Sequence, residues 1–312
     1  MRSALPSGTK RAILTAGVAA AHCCGGAAAS ALRQDTPDGR QTKEPAKKIK
    51  NRGMSWKPPD VDSAPRGLTA SPPCVLSEVL EQAGARAKQM EGDLPNFTAD
   101  ERIQFQQFDN IGELEDAAAG TFEYLALITP EDGGRTVQET RTPTEGTRAF
   151  PASTQDTGLP EMALIFLPNI QGDYEMKCEG TGRWKGEPTW VVHFQQRPDR
   201  SVHTLSFHGK TQVYGARLKG RAWIAEESGD VMHLELETME AIPQMQVRNW
   251  WLSIDYAPVQ FHSQNVRIWL PQAVDAYAQF EDRRTIIYHT FANFLLFSVQ
   301  TKQQFEKPSK PE

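Results

Sequence analysis

The sequence predicts an α+β fold: one amphipathic helix followed by a long antiparallel sheet with a single apolar face. Two observations carry this. Residues 75–90 place apolar side chains at i, i+4 spacing. From residue 188 onward, segments of period two recur between turn residues, which is the pattern of an antiparallel meander.

The helix is bounded by Pro72 and Pro73 and puts Val75, Val79, Leu80, Ala83 and Ala87 on one face, so it is expected over Val75–Met90. Gly92-Asp-Leu-Pro95 ends it. A strand follows from Asn96, in which Phe97, Ala99, Ile103 and Phe105 share parity. Asn96-Phe97-Thr98 matches a glycosylation sequon and is read as incidental. Strands are expected at Thr121–Ile128 and Arg135–Arg141, a loop at Thr142–Gly158 and a short helix at Leu159–Leu167. Asp173, Glu175 and Glu179 form an acidic run, read as a solvated strand edge rather than a carboxylate site.

The second half is the clearest. Pro188–Gln196 is one strand, and Arg221–Ala225 with Val231–Thr238 forms a hairpin across Glu227-Ser-Gly-Asp230. Met232, Leu234 and Leu236 fall on one face of that hairpin, and His233, Glu235 and Glu237 on the other. Further strands are expected at Trp250–Tyr256, Asn265–Leu270, Ala273–Glu281 and Arg284–Phe294. The apolar parity repeats there in Leu252, Ile254 and Tyr256, in Val266, Ile268 and Leu270, and in Ala276, Ala278 and Phe280.

The N-terminus reads as an address. Arg2, Lys10 and Arg11 lead into the apolar run 12–21, and Ala29 and Ala31 supply small residues for cleavage after Ala31. An uncleaved anchor over residues 12–32 and an acylation site at Cys23 or Cys24 are the weaker alternatives, because His22 interrupts both patterns. Export to the periplasm or beyond is the expectation. Residues 32–70 follow as a Pro- and charge-rich linker, expected to be disordered because it cannot bury enough surface to offset ordering entropy. Its basic stretch 43–52 is read as a solvated tether, with contact to an anionic envelope surface as the alternative. The folded domain is placed at 71–306, with 307–312 a frayed tail.

Charge excludes some functions. The whole chain carries a formal −5, while residues 71–312 carry 22 basic against 34 acidic side chains, a net −12. Such a body does not seek nucleic acid. Cys74 and Cys178 survive cleavage and belong to no CxxC; whether they bridge is left open by a separation of 104 positions.

Several segments resemble known families. Leu218-Lys-Gly-Arg-Ala-Trp-Ile-Ala225, Gly229-Asp-Val-Met-His-Leu-Glu235, Ile254-Asp-Tyr-Ala-Pro-Val-Gln-Phe261, Val266-Arg-Ile-Trp-Leu-Pro271 and Phe291-Ala-Asn-Phe-Leu-Leu-Phe297 resemble an exported bacterial family, common in acidobacteria, of unknown function. Leu94-Pro-Asn-Phe97 after a helix is similar too, so the resemblance spans residues 75–305. More distantly, the Trp-bearing hairpin and the strand order resemble outer-membrane lipoprotein-sorting proteins. That resemblance implies a sheet curved into a half-barrel, with one or two helices across its concave face over an apolar cavity. No ligand-binding residue of those carriers matches here by position.

Enzyme chemistry has no local signature: the sequence contains no G-x-S-x-G, H-E-x-x-H, P-loop or Rossmann fingerprint. Histidines 193, 203, 208, 233, 262 and 289 are read as solvated or paired with acids such as Glu235 and Asp255, rather than as a metal site or base. Trp184, Trp190, Trp223, Trp250, Trp251 and Trp269 are read as packing rather than as a sugar or lipid platform. Trp251 and Trp269 oppose the apolar parity, which places them outside the cavity, under the linker or at a partner surface.

The expected function is therefore an exported, non-catalytic binding protein that holds an acyl chain, a lipid or the lipid part of a lipoprotein, without a cofactor. Leu234, Leu236, Leu252, Ile254, Tyr256, Ile268, Ala276 and Phe280 are the expected lining. The alternatives are an envelope scaffold with a closed core, and a His-dependent hydrolase.

Overall fold

The structure is a computed structural model, and it describes residues 16–18, 56–65, 67–70, 73–93, 96–131, 134–144, 146–147, 159–160, 162–200, 205–208, 212–261 and 265–297. The elements are β1 (Ala16–Val18), α1 (Leu76–Asp93), β2 (Phe97–Asp109), β3 (Leu114–Glu131), β4 (Gly134–Pro143), β5 (Tyr174–Trp184) and β6 (Glu187–Gln196). They continue with β7 (Leu205–His208), β8 (Val213–Gly215), β9 (Leu218–Ala225), β10 (Val231–Thr238), β11 (Val247–Phe261), β12 (Val266–Phe280) and β13 (Arg283–Leu296).

Ten strands form one curved, unclosed sheet in the order β4-β3-β2-β13-β12-β11-β10-β9-β6-β5. Every neighbouring pair is antiparallel. With α1 on one face, this is the expected α+β half-barrel. Hairpins account for most of the order; the exceptions are β6 beside β9, with β7 and β8 between them in sequence, and β2 beside β13, a pairing of Phe97 with Leu296 and of Asp109 with Arg283 that joins the two ends of the body. A small second sheet has the order β1-β7-β8, with β1 parallel to β7. Cleavage after Ala31 would remove β1 from it.

The helix begins at Leu76 and buries Val79, Ala83 and Ala87, as its spacing predicts, but Val75 precedes the first turn and is exposed. The segment Leu159–Leu167 is not an α-helix: it carries a short 3-10 turn, Met162–Phe166, with every side chain buried. An all-apolar run has no polar face to give water, so it is buried on all sides instead of lying amphipathically on a surface.

Two expected strands, Asn265–Leu270 and Ala273–Glu281, are one. β12 runs through Pro271, and the register against β11 shifts between Asp255 and Tyr256 so that Gln272 has no opposite number. A bulge absorbs the proline, which cannot donate to a ladder. Across it the core-facing residues of β11 change from Leu252, Ile254 and Tyr256 to Val259 and Phe261. A second shift, between Val231 and His233, brings Val231 into the main core, while Met232 is buried outside it.

The linker ends earlier than expected. Residues 32–55 and 66 lie outside the described residues, but Trp56 and Val61 lie against the convex face. Val61 is fully buried with Phe108, Trp251, Tyr277 and Ile286, and Trp56 packs beside them at 5.9 Å from both Trp251 and Tyr277. Thr69 pairs with Thr181 of the edge strand β5. At Gly180, with φ +133°, a Cβ would strike the Thr69 carbonyl, so only glycine permits this approach. Trp56 and Val61 pack there because the sheet presents a matching apolar patch.

Candidate functional site

Apart from a buried ionic cluster toward β4, the concave face is apolar, and it is covered by α1, by residues 159–171 and by the small sheet, whose Leu205 and Phe207 share its core and whose Phe207 meets Trp250 edge-on at 6.2 Å. Leu234, Leu236, Leu252, Ile254, Tyr256, Ile268 and Ala276 share a core with Val79, Ala83 and Ala87 of α1 and with residues 162–167. Phe280 is half-buried against it. Alternation explains why one strand after another contributes to the same face; the tertiary fold adds α1, residues 159–171 and β7 as the cover.

The attachments of that cover are few and specific. A disulfide between Cys74 and Cys178, with Cα atoms 6.2 Å apart, ties the start of α1 to the sheet edge. Gly84 lets the helix sit close to residues 166–171, since a Cβ there would meet Gln171 Nε2 at 2.9 Å and the Phe166 carbonyl at 3.3 Å. Gln171 Nε2 donates to Leu80 O at 2.9 Å and to Phe166 O at 2.6 Å. Leu159 is held at both of its backbone groups: its N–H donates to Glu139 Oε1 at 3.1 Å, and its carbonyl accepts from Tyr256 Oη at 3.2 Å. Burial raises the Tyr256 phenol pKa, which keeps it a neutral donor.

Toward the β4 end the concave face is charged. Glu101 sits between Ala99 and Ile103 on β2, and its side chain and those of Arg141 and His289 are almost fully buried. Arg141 Nε donates to Glu101 Oε2 at 2.7 Å, and His289 Nδ1 lies 2.7 Å from Glu101 Oε1. Glu139 lies 3.4 Å from Arg141 Nη2. Burial alone would raise the Glu101 pKa; Arg141 and His289 outweigh it and hold the carboxyl below its ordinary value. Periodicity pointed to this position as core, and nothing in the sequence paired it with residues 40 and 188 positions away.

The described histidines do not converge. His289 is on the concave face; His193 and His233 are on the convex one, each with its own carboxylate, Asp62 at 3.0 Å and Asp255 at 2.7 Å. The pairing of His233 with Asp255 and Glu235 matches expectation. Its ring also stacks on Trp184 at 3.6 Å and meets Trp223 edge-on at 4.8 Å. His203, His262 and the side chain of His208 lie outside what the structure describes. Among the described residues no group of three or more His, Cys, Asp or Glu is arranged to hold a metal ion, and no helix is long and apolar enough to cross a membrane. The acidic run also departs from expectation at Glu179, which accepts from the buried Arg221 at 2.6 Å instead of facing solvent.

A crevice of about 40 Å³ opens where the C-terminal half of α1 meets β12 and the β9–β10 turn. Ala83, Ala87, Met90, Ala163, Tyr256 and Ile268 form its apolar walls, and Arg86, Gln89, Asp230 and Arg267 its polar ones. Tyr256 and Ile268 are the two expected lining residues that reach it; the other six are packed into the core or against it. Trp269 also lines this crevice, contrary to its expected place outside, whereas Trp251 does lie under residues 56–61. The polar wall escaped the sequence reading because Arg86 and Arg267 carry no pattern of their own.

No protein-family model matches the chain, and no curated protein matches it. Solved structures are similar at the level of fold. A putative outer-membrane lipoprotein-sorting protein domain from Vibrio parahaemolyticus is 11% identical, with 72% of this chain and 95% of that one covered at a TM-score of 0.38. A DUF1329 family protein from Desulfovibrio piger is 10% identical over the same shares, 72% and 95%, at 0.40. A LolA superfamily protein from Nitrosomonas europaea is 11% identical, covering 73% and 96%, at 0.33. These are likenesses of fold alone, and the first names a lipoprotein-sorting domain, the more distant of the two resemblances read from the sequence.

Proposed function

We propose that the chain is an exported, non-catalytic binding protein that holds a hydrophobic ligand between the concave face and its cover. The ligand is an acyl chain, free or as the lipid part of a larger molecule. The observation that carries this reading is the cover itself. A half-barrel whose apolar face is closed by one helix, one short turn and a small sheet that shares no strand pairing with the main one has a cover that can move without dismantling the main sheet. Leu234, Leu236, Leu252, Ile254, Tyr256, Ile268, Ala276 and Phe280 would then line the opened face. The Cys74–Cys178 bridge suits an oxidising compartment, in line with the expected export to the periplasm or beyond.

The existing crevice of about 40 Å³ is far below the few hundred Å³ that a lipid site needs, so the ligand must displace the cover. The same closure favours a second reading, an envelope scaffold whose core stays shut. Native mass spectrometry of the purified mature chain, with extraction of bound lipid, tests the first reading: it expects a lipid adduct. Ala276→Phe separates the two. Ala276 is buried between Leu252 and Ile287 in the sheet. If the face is permanently closed, Phe overpacks it and costs roughly 1–3 kcal/mol. A carrier should in addition lose lipid retention, because the added ring occupies the ligand's place, whereas a scaffold has no lipid to lose. A lipid-free parent with a destabilised variant would reject the carrier.

A further inference from the structure

The crevice beside α1 is amphipathic, and its two arginines are not equivalent. Arg86 is engaged: its Nε donates to Asp230 Oδ1 at 2.8 Å and its Nη1 to Gln89 Oε1 at 2.6 Å. Arg267 faces it from β12, exposed, with no hydrogen-bond or ion-pair partner among the described residues. The rim therefore holds Arg86 and Arg267 against Asp230, an excess of one cation, in a body whose net charge is −12. A free guanidinium fork at the edge of an apolar cleft matches a carboxylate or phosphate oxygen pair in geometry and charge.

The position of the crevice adds direction. β13 pairs with β12 only from Ala273 onward, and β10 pairs with β11 only up to Asp255. Residues 256–261 and 266–271 therefore extend beyond both neighbours as a two-stranded arm, and the crevice lies where this arm meets α1. Ala83 and Ala87 belong both to the crevice wall and to the concave core. A chain entering at Arg267 would run along those small residues toward the face that the carrier reading assigns to the ligand.

We propose that this crevice is the mouth of the ligand site and selects a single-chain anionic amphiphile, with its carboxylate on Arg267 and its acyl chain passing between α1 and Ile268. The inference rests on the carrier reading and narrows it to one class of ligand. Calorimetric titration of the full mature chain, delipidated and with its disulfide intact, tests it. The probes are dodecanoate, dodecanol, dodecyltrimethylammonium and acetate. Dodecanoate should bind about ten-fold or more tightly than dodecanol, and added salt should weaken it. Dodecyltrimethylammonium should bind more weakly than dodecanol, and acetate not measurably. Arg267→Gln should bring dodecanoate down to the affinity of dodecanol while leaving dodecanol and the melting temperature unchanged; Arg267→Lys should keep part of the preference. Equal binding of dodecanoate and dodecanol, or a preference that survives Arg267→Gln, would overturn the selectivity and leave the carrier reading standing. Acetate binding as tightly as dodecanoate would reduce the crevice to an anion site and overturn it as well. If no long-chain probe binds and the purified chain is lipid-free, both readings fall.

Discussion

The concave face of the sheet is buried under α1, residues 159–171 and β7 in a core that draws on both halves of the sheet, whereas the convex face has a small patch, Phe108, Trp251, Tyr277 and Ile286, buried under Val61 and Trp56. The attachments differ in kind. The concave cover is tied by a disulfide, by both backbone groups of Leu159 and by a buried ionic cluster beneath it. The convex strap adds side-chain contacts to solvent-facing charges, Lys219 Nζ to Asp62 at 2.6 Å and His193 to Asp62 at 3.0 Å. Ion pairs at such exposed carboxylates contribute little, while loss of one member of a buried cluster strands the others. The first face should therefore govern global stability and the second only local opening.

The largest expected effect is on the concave side. Arg141→Leu leaves Glu101 and Glu139 facing each other in the core and should cost about 3–5 kcal/mol, read as a lower urea midpoint. A loss below about 1 kcal/mol would mean that water reaches the cluster and that the cover is loose. Next comes the tether: Cys74→Ser opens a link spanning 104 positions and should cost about 2–4 kcal/mol, with hydrogen exchange rising first in α1. Val61→Ala sharpens the contrast. It removes roughly 1–2 kcal/mol of burial, yet amide exchange should accelerate only over residues 56–65 while the unfolding midpoint barely moves. A matching fall in the midpoint would make the strap part of the global core.

The smallest effect is a pH dependence on the convex side. Burial opposes the charge on His233, but the carboxylates of Asp255 and Glu235 outweigh it and raise its pKa above 6.5. A raised histidine pKa stabilises the fold fully below 6.5 and ceases to do so as pH rises through the folded value. Melting temperature should thus decline from 6.5 upward in the parent and less in His233→Gln, with a parallel rise in Trp fluorescence as the stacked Trp184 loses its charged neighbour. At the acid end, Asp255 is the counterpart. Burial would raise it and His233 lowers it, so its contribution is lost only as pH falls through its depressed pKa. A parent whose melting temperature stays flat above 6.5 would show His233 neutral in the folded protein.

Period two along Leu234–Leu236, Leu252–Tyr256 and Phe97–Phe105, and period 3.6 along Val79–Ala87, determined by themselves the helix, most strands and which side chains face the core. These are local properties: alternation depends only on backbone geometry and on which residues avoid water. Other features were decided by the tertiary structure, because each depends on partners far away in sequence. Pro271 ends a strand when read alone, and it is carried through only because β11 shifts register opposite it. Trp56 and Val61 are too few to fold a segment, and they order it only where Trp251 and Tyr277 wait on the sheet. Arg267 has no pattern in sequence, and it gains meaning only from the apolar crevice that α1 and β12 build beside it.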